Sequence, residues 1–364
     1  MDGALVWLVL ARARGVGRIR LASLMGACPD PADAWRLTVE DLLQLEGWNH
    51  PAARAAVAVR GDKEARRGAV SELESALKAG LRLVTLPSPT YPVRLRQTPD
   101  PPPYFYQAGP WTPDHRPMVA IVGTRSPTSY GLAVAEQFGA ALAAAGAVVV
   151  SGMARGIDCA AHHGALRAGG VTVAVLGGGA DVCYPREAAR LYGQIRASGA
   201  VLSEQPPGTR PVRENFPERN RIISGLSHGV VVVEAGENSG TLITVSAALR
   251  QGRDVFAVPG PVTSPVSVGP HRLIREGACL VTSAAEVLEE LGFPTGHSPE
   301  HAASPLLTED QHRLLGWMGP GPRWAGDLAE ACGMEAAEVQ ATLTLLQLAG
   351  FVRQLPDGQY VRVG

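Results

Sequence analysis

The chain has 364 residues, of which 46% are hydrophobic, and this length suits two or three domains with substantial cores. Its net charge of −1 provides no overall attraction for polyanions, so a nucleic-acid partner would require basic groups concentrated on one face. The five cysteines are scattered without a CxxC pair and no apolar stretch reaches about 20 residues, so we predict a cytoplasmic protein without a disulfide framework, zinc site or membrane segment.

The first 75 residues contain short helical patterns at 5–13, 19–25 and 51–60, interrupted by glycine and proline. The turn Gly15–Gly17 joins the first two patterns, as in an N-terminal helix-hairpin-helix or SAM-like domain. In such hairpins the backbone N–H groups of the turn can approach a phosphate, but glycines also simply permit tight turns. With one hairpin and few flanking lysines, the sequence favours the purely structural explanation.

A proline-rich segment at 99–103 is predicted to be an extended edge segment, and from Met118 onward apolar strands alternate with helices. Continuous runs of valine, isoleucine and leucine between helices are typical of a parallel sheet covered on both faces. We therefore predict a Rossmann-like, doubly wound α/β domain over residues 76–292. Its predicted strands are 119–122, 148–150, 171–176, 201–202, 230–233 and 255–258, and its predicted helices are 130–145, 157–168, 186–197, 220–227 and 242–251.

Residues 293–305 are polar and proline-rich, and we predict that they form a linker. The remaining segment, 306–364, shows three helical patterns and then two short strand patterns about Pro356–Gly358, which predicts a winged helix. The last helical pattern, 335–349, contains two glutamates and no basic residue, so phosphate would repel it. We expect this domain to bind protein or a second copy of itself, and not duplex DNA.

The residues that follow the predicted strands are the candidates for function, because ligands of open parallel sheets bind beyond the carboxyl ends of the strands. These residues include glycines and residues with hydroxyl side chains, and four arginines are expected at the same edge. Together with unpaired backbone N–H groups at the helix starts, they would bind an anion. Four guanidiniums would crowd one anion but suit a chain of phosphates, which favours a polynucleotide ligand. The predicted DNA-binding residues are Gly123, Thr124, Arg125, Ser126, Arg155, Arg219, Asn220, Arg221, Ser239, Gly240 and Thr241.

Some candidate residues have competing structural explanations. Arg219 and Arg221 are equally well explained by ion pairs with nearby glutamates. Asp158 and His162 are four residues apart on one helix face, as in a catalytic or metal-binding pair. A metal site needs a third ligand that the sequence does not place, so an N-capping aspartate and a buried, hydrogen-bonded histidine are the better explanation. We predict no metal, cofactor or catalytic residue.

Two enzyme classes share the predicted architecture. A dinucleotide-binding fold has GxGxxG after its first strand, whereas segment 123–127 has arginine and proline there, so NAD binding is not expected. A nucleotide phosphoribohydrolase-like enzyme would carry PGGxGTxxE, but in segment 239–244 Thr244 stands in place of the catalytic glutamate. A hydroxyl of ordinary pKa is not a general base. Nucleotide N-glycosidase activity and a pure interaction scaffold remain the alternatives to DNA binding.

Several motifs agree in sequence and order with those of one known family. They are 121–125, 151–158 with 161–162, 184–185, 216–223, 239–244 and 258–260, preceded by Tyr91-Pro92, Leu95 and 100–102. On these motifs the chain resembles the DprA (DNA processing protein A) family, also called Smf. The resemblance extends from about residue 85 to 290, and its motifs are long enough to be highly specific.

The resemblance implies a non-catalytic homodimer, formed through the Rossmann-like domain, that binds single-stranded DNA in a cleft. It also implies that the protein protects incoming strands and loads the recombinase RecA onto them in natural transformation. The family's cleft corresponds here to Gly123, Thr124, Arg125 and the basic residues of segment 219–221, whereas Arg155 is predicted from the strand ends alone. Family members often have lysine in the cleft, a place that arginine would take in this chain.

Overall fold

The computed structural model describes residues 3–293, 308–319, 321–348, 351–355 and 358–362. Met1–Gly296 form one compact unit and His297–Gly364 form a second. The boundaries predicted at 75, 292 and 305 remain predictions, and nearly all of the predicted linker lies outside the described residues. Among the residues that the structure describes, no helix is long and apolar enough to span a membrane.

The N-terminal part of the first unit is helical. Its helices are α1 (Gly3–Leu10), α2 (Arg18–Ala27), α3 (Pro31–Ala34), α4 (Val39–Leu43), α5 (His50–Ala58) and α6 (Lys63–Lys78). Asp30, Thr38, Asn49 and Asp62 cap the last four of these, because their side-chain oxygens accept amides of the first turn. The three predicted helices are present, whereas α3, α4 and α6 were not predicted.

The turn between α1 and α2 lies at the surface, and contacts within the N-terminal helices hold it in place. Gly15 has a φ of 81°, a conformation that favours glycine. Arg20 donates to the carbonyl oxygens of Gly15 and Gly47 at 2.6 and 2.7 Å. These contacts support the structural explanation of the turn.

A sheet of nine described strands forms the centre of the first unit. Its strands are β1 (Arg82–Thr85), β2 (Tyr104–Ala108), β3 (Met118–Val122), β4 (Val148–Ser151), β5 (Thr172–Val175), β6 (Ala200–Ser203), β7 (Gly229–Val232), β8 (Asp254–Ala257) and β9 (Cys279–Leu280). Their order is β1-β2-β6-β5-β4-β3-β7-β8-β9. The strands from β3 to β9 are parallel, whereas β2 runs antiparallel to both β6 and β1. All six predicted strands are present, whereas strands β1, β2 and β9 and the antiparallel pairing at one edge were not predicted.

Helices cover both faces of this sheet. They are α7 (Val93–Arg96), α8 (Ser129–Ala144), α9 (Ile157–Arg167), α10 (Ala189–Ser198), α11 (Asn215–Leu226), α12 (Thr241–Arg250), α13 (Val268–Arg275) and α14 (Ala284–Glu290). Met118 and Ala120 of β3 join a core shared with α1, α11 and α12, whereas Val119 and Ile121 pack against α8 and α9. This alternation confirms the predicted Rossmann-like, doubly wound fold.

The strand order reverses between β3 and β7, which are parallel neighbours with Val122 opposite Val232. From β3 the chain proceeds through β4, β5 and β6 on one side, and β7 begins the other side. Because successive helices then cover opposite faces, the loops after β3 and β7 diverge and open a crevice at the carboxyl edge of the sheet.

The second unit has the elements of a winged helix. They are α15 (Glu309–Trp317), α16 (Ala325–Cys332), α17 (Ala336–Leu348) and the antiparallel strands β10 (Val352–Gln354) and β11 (Tyr360–Arg362). Leu328, Leu343 and Tyr360 belong to its own hydrophobic core. The predicted winged helix is confirmed, while Pro356 and Asp357 of its predicted turn lie outside the described residues.

Candidate nucleic-acid interface

A cleft of about 790 Å³ lies at the crevice between the loops after β3 and β7. The start of α11 and the loop after β4 form its other walls. The residues that line the cleft are Val122, Gly123, Arg125, Ala154, Asp158, Tyr184, Pro211, Arg213, Phe216, Pro217, Arg219, Asn220, Ile223, Asn238, Ser239, Gly240, Thr241, Ile243 and Thr244. Seven of the predicted DNA-binding residues are among them, and Thr124 and Ser126 flank Arg125 in the same loop.

The loop that carries Arg125 is held by Glu234, which is buried at the end of β7. The Glu234 carboxylate accepts the amide and the hydroxyl of Thr128 at 2.9 and 2.5 Å, and its carbonyl accepts the Thr124 amide at 2.7 Å. Between these anchors, the exposed guanidinium of Arg125 lies 4.9 Å from the ring centroid of Phe216. Arg125 forms no ion pair with any residue the structure describes, so its charge is available to an anion.

Arg219 lies at the floor of the cleft and is only 5% exposed. It donates to the carbonyls of Gly152, at 2.7 Å, and of Val175. A Cβ at position 152 would overlap this guanidinium, so the close approach requires glycine. Burial lowers the pKa of Arg219 to about 10, although the negative charge of Asp158 acts to raise it. The side chain therefore stays cationic at neutral pH. Its guanidinium also lies 5.8 Å from the Phe216 centroid, which supports the ring.

Arg221 and Arg155 are directed to carboxylates and do not line the cleft. Arg221 is buried and donates to both carboxylate oxygens of Glu204, at 2.5 and 2.6 Å. Exposed Arg155 pairs with Glu187. Ion pairing with a glutamate, the structural alternative considered from sequence, therefore explains Arg221. Arg219 instead donates to main-chain carbonyls and pairs with none of those glutamates. The assignments of Arg221 and Arg155 to DNA binding remain predictions, and we leave both out of the proposed contacts.

Amides predicted to be free at two helix starts are occupied. One carboxylate oxygen of Asp158 accepts the amides of Gly152 and Ala154 at 3.2 and 3.3 Å. The Ser239 hydroxyl accepts the amide of Thr241 at 3.3 Å. Side chains thus satisfy backbone donors that a phosphate would otherwise use, and attraction for phosphate depends mainly on guanidiniums.

Asp158 and His162 are both structural, although Asp158 is not the predicted N-cap. It is the second residue of α9, and Gly156 occupies the cap. Nδ1 of the buried His162 lies 2.6 Å from the Thr172 hydroxyl, which donates to the Val149 carbonyl, so Nδ1 must be the protonated nitrogen. The predicted burial of His162 and the hydrogen bond of Nδ1 are confirmed, whereas its buried Nε2 has no hydrogen-bond partner among the described residues, so the histidine is satisfied only in part. The described part of the chain contains no group of three potential metal ligands.

We expect His162 to make the fold sensitive to mild acid. Burial lowers the pKa of His162 from 6.5 to about 3, so between these values the unfolded state binds a proton that the folded state does not. The free energy of unfolding should therefore fall as pH falls through this window, by about 2 kcal/mol between about pH 7 and pH 5. Urea unfolding at both pH values measures this loss.

The matched controls for this prediction are His162→Gln and His163→Gln. The first should remove this component of the pH dependence, whereas the second, at an exposed neighbouring position, should retain it. An identical pH dependence in His162→Gln and the unsubstituted protein would show that the buried imidazole is not its cause.

Among the cleft residues that sequence reasoning did not assign to the site, Arg213 and Tyr184 carry the most relevant side chains. Arg213 is exposed and lines the cleft without an ion pair in the described residues, and it precedes Phe216 by three positions. The Tyr184 ring lies 6.1 Å from that of Phe216. Arg213 lies only three residues before the motif that begins at Phe216, and this proximity could have predicted its place at the cleft. We call Arg125, Arg213, Tyr184 and Phe216 the cleft face.

The amino-acid sequence matches two family models. The model for DNA recombination-mediator protein A matches residues 82–292, and the model for the DprA winged helix domain matches residues 298–358. Protein Smf of Escherichia coli K12 is 42% identical over 289 residues, which cover 77% of each chain. Protein Smf of Synechocystis is 37% identical over 328 residues, or 88% of this chain and 78% of that protein.

Solved structures agree with the sequence matches. DprA from Streptococcus pneumoniae superposes with a TM-score of 0.66 at 35% identity, over 77% of this chain and 95% of that one. DprA from Helicobacter pylori, described for its unique single-stranded DNA binding mode, gives a TM-score of 0.51 at 26% identity, over 58% of this chain and 97% of that one. The chain therefore belongs to the DprA family of DNA recombination-mediator proteins.

Proposed function

We propose that this protein binds single-stranded DNA along the cleft face, without sequence preference and without catalysing a reaction. Arg125 and Arg213 would contact backbone phosphates, and Phe216 and Tyr184 would stack against bases. The observation that carries the proposal is the guanidinium of Arg125, unpaired in the described residues, 4.9 Å from the centroid of Phe216. A cation beside an aromatic ring offers phosphate binding and base stacking together, the combination that single-strand binders use. The DNA binding described for the Helicobacter pylori relative supports it.

The cleft also favours binding over nucleotide hydrolysis. Among its described lining residues Asp158 is the sole carboxylate, and it already accepts two backbone amides. Burial raises the pKa of Asp158, with the charge of Arg219 opposing. Thr244, at the position where the hydrolase signature requires glutamate, is buried in the cleft wall. A nucleotide bound here would lack a free general base.

We further propose that the protein acts in the cytoplasm as a homodimer through its Rossmann-like domain. It would protect incoming single strands in natural transformation and recombination and load RecA onto them. Membership of the recombination-mediator family supports this role. The winged helix would provide a protein contact, since α17 contains Glu338 and no basic residue.

Binding of a fluorescently labelled oligo-dT of about 20 nucleotides, followed by anisotropy, tests the proposal. We expect oligo-dT to bind more tightly than a duplex of equal length. With two or three neutralised phosphates, the logarithm of the binding constant should fall with the logarithm of salt concentration with a slope of about −2. Two results would contradict the proposal: no binding at about 50 mM salt, or release of free base from nucleoside monophosphates, which would favour the N-glycosidase alternative.

A further inference from the structure

One charged side chain of the N-terminal helices reaches the helix that borders the cleft. Arg18, the first residue of α2, forms an ion pair with Glu218 of α11 and lies 3.8 Å from the Asp100 carboxylate. Glu218 is flanked by Pro217 and Arg219, both of which line the cleft. The N-terminal helices therefore meet α11 directly behind the cleft wall.

Arg18 is the cation that balances Glu218 among the residues described. The other arginine in this network, Arg221, binds Glu204 and lies 3.6 Å from Asp100, which the two arginines share. The side chain of Glu218 is 50% exposed, so its charge is partly accessible to solvent. Without Arg18, an uncompensated carboxylate would stand beside residues that form the cleft wall.

We propose that Arg18 screens Glu218 from the phosphates of bound DNA, so that the N-terminal helices set the charge of the cleft wall. This inference rests on the proposed function. Arg18 acts through Glu218 and does not touch the strand. A carboxylate about one Debye length, ~10 Å at 0.1 M salt, from a phosphate chain repels it measurably at low salt and much less at high salt.

The test compares Arg18→Ala, Glu218→Gln and the double variant for oligo-dT affinity in the full-length protein. At about 50 mM salt we expect Arg18→Ala to bind about threefold more weakly and Glu218→Gln about threefold more tightly. The double variant, with the net charge of the unsubstituted protein, should bind as that protein does. All differences should shrink at about 300 mM salt. Loss of packing alone would weaken both single variants, so their opposite signs identify the electrostatic effect.

The control is Arg36→Ala, which changes net charge equally but removes a partner of Asp33 within the N-terminal helices. Its affinity should be unchanged. An Arg18→Ala variant that binds as tightly as the unsubstituted protein would overturn the inference. So would a double variant as weak as Arg18→Ala, because Arg18 would then contact phosphate itself. Failure of the unsubstituted protein to bind oligo-dT is a different result, and it would remove the proposed function as well.

Discussion

The variant Arg125→Ala is expected to bind oligo-dT about 30-fold more weakly than the unsubstituted protein, equally for all base sequences. The substitution removes a phosphate contact and the cation beside Phe216. The loops anchored by Glu234 do not depend on the Arg125 side chain, so the melting temperature should be unchanged. Anisotropy titrations with oligo-dT and a mixed sequence measure the loss.

Two further variants separate a local contact from general charge. Arg66→Ala removes an exposed guanidinium of α6 that has no ion pair in the described residues, and its affinity should be unchanged. Arg125→Lys keeps the charge but loses the planar group over Phe216, so an intermediate affinity is expected. Equal losses in Arg125→Ala and Arg66→Ala would mean that net charge, and not the cleft, attracts the DNA.

A large loss of stability is expected for Arg219→Ala, of about 3–5 kcal/mol in the free energy of unfolding. The substitution removes the buried cation that opposes the desolvation of Asp158. It also removes the donor to the carbonyls of Gly152 and Val175. Urea unfolding at neutral pH measures the effect. Such a loss would show that the main role of Arg219 is structural, because its guanidinium links the segments that form the cleft wall.

The double variant Arg219→Met/Asp158→Asn checks the physical reason for this loss. Asparagine carries no charge, so the double variant should regain part of the stability lost by Arg219→Met alone. A cost below about 1 kcal/mol for Arg219→Ala would contradict the buried electrostatic role.

The sheet was predictable because its parallel strands are buried on both faces and read as continuous apolar runs. The edge strands β1 and β2 were not predictable from the sequence. Strand β2 follows a proline-rich segment, and its position in the sheet depends on pairing with β6, far along the chain. Helix α11 was predicted to begin at 220 but begins at Asn215, with Pro217 in its first turn. Proline is tolerated there, since the amides of that turn have no partner within the helix.

The location of the cleft was predictable from topology, because strand ends at a switch point meet at one edge. The partners of individual arginines were not. Arg221 binds Glu204, 17 residues before it, and the carbonyl of Asp100, 121 residues before it, whereas Arg125 forms no described ion pair. Sequence shows the same residue type at both positions, and only the fold decides which guanidinium is already paired. The same reason explains why Arg213 was missed.

The most direct test of a phosphate-binding cleft is a crystal structure of the protein with a short oligo-dT. We expect consecutive phosphates beside Arg125 and Arg213, with at least one base stacked on Phe216. A strand bound elsewhere, for example along Lys63 and Arg66 of α6 with the cleft face empty, would contradict the account.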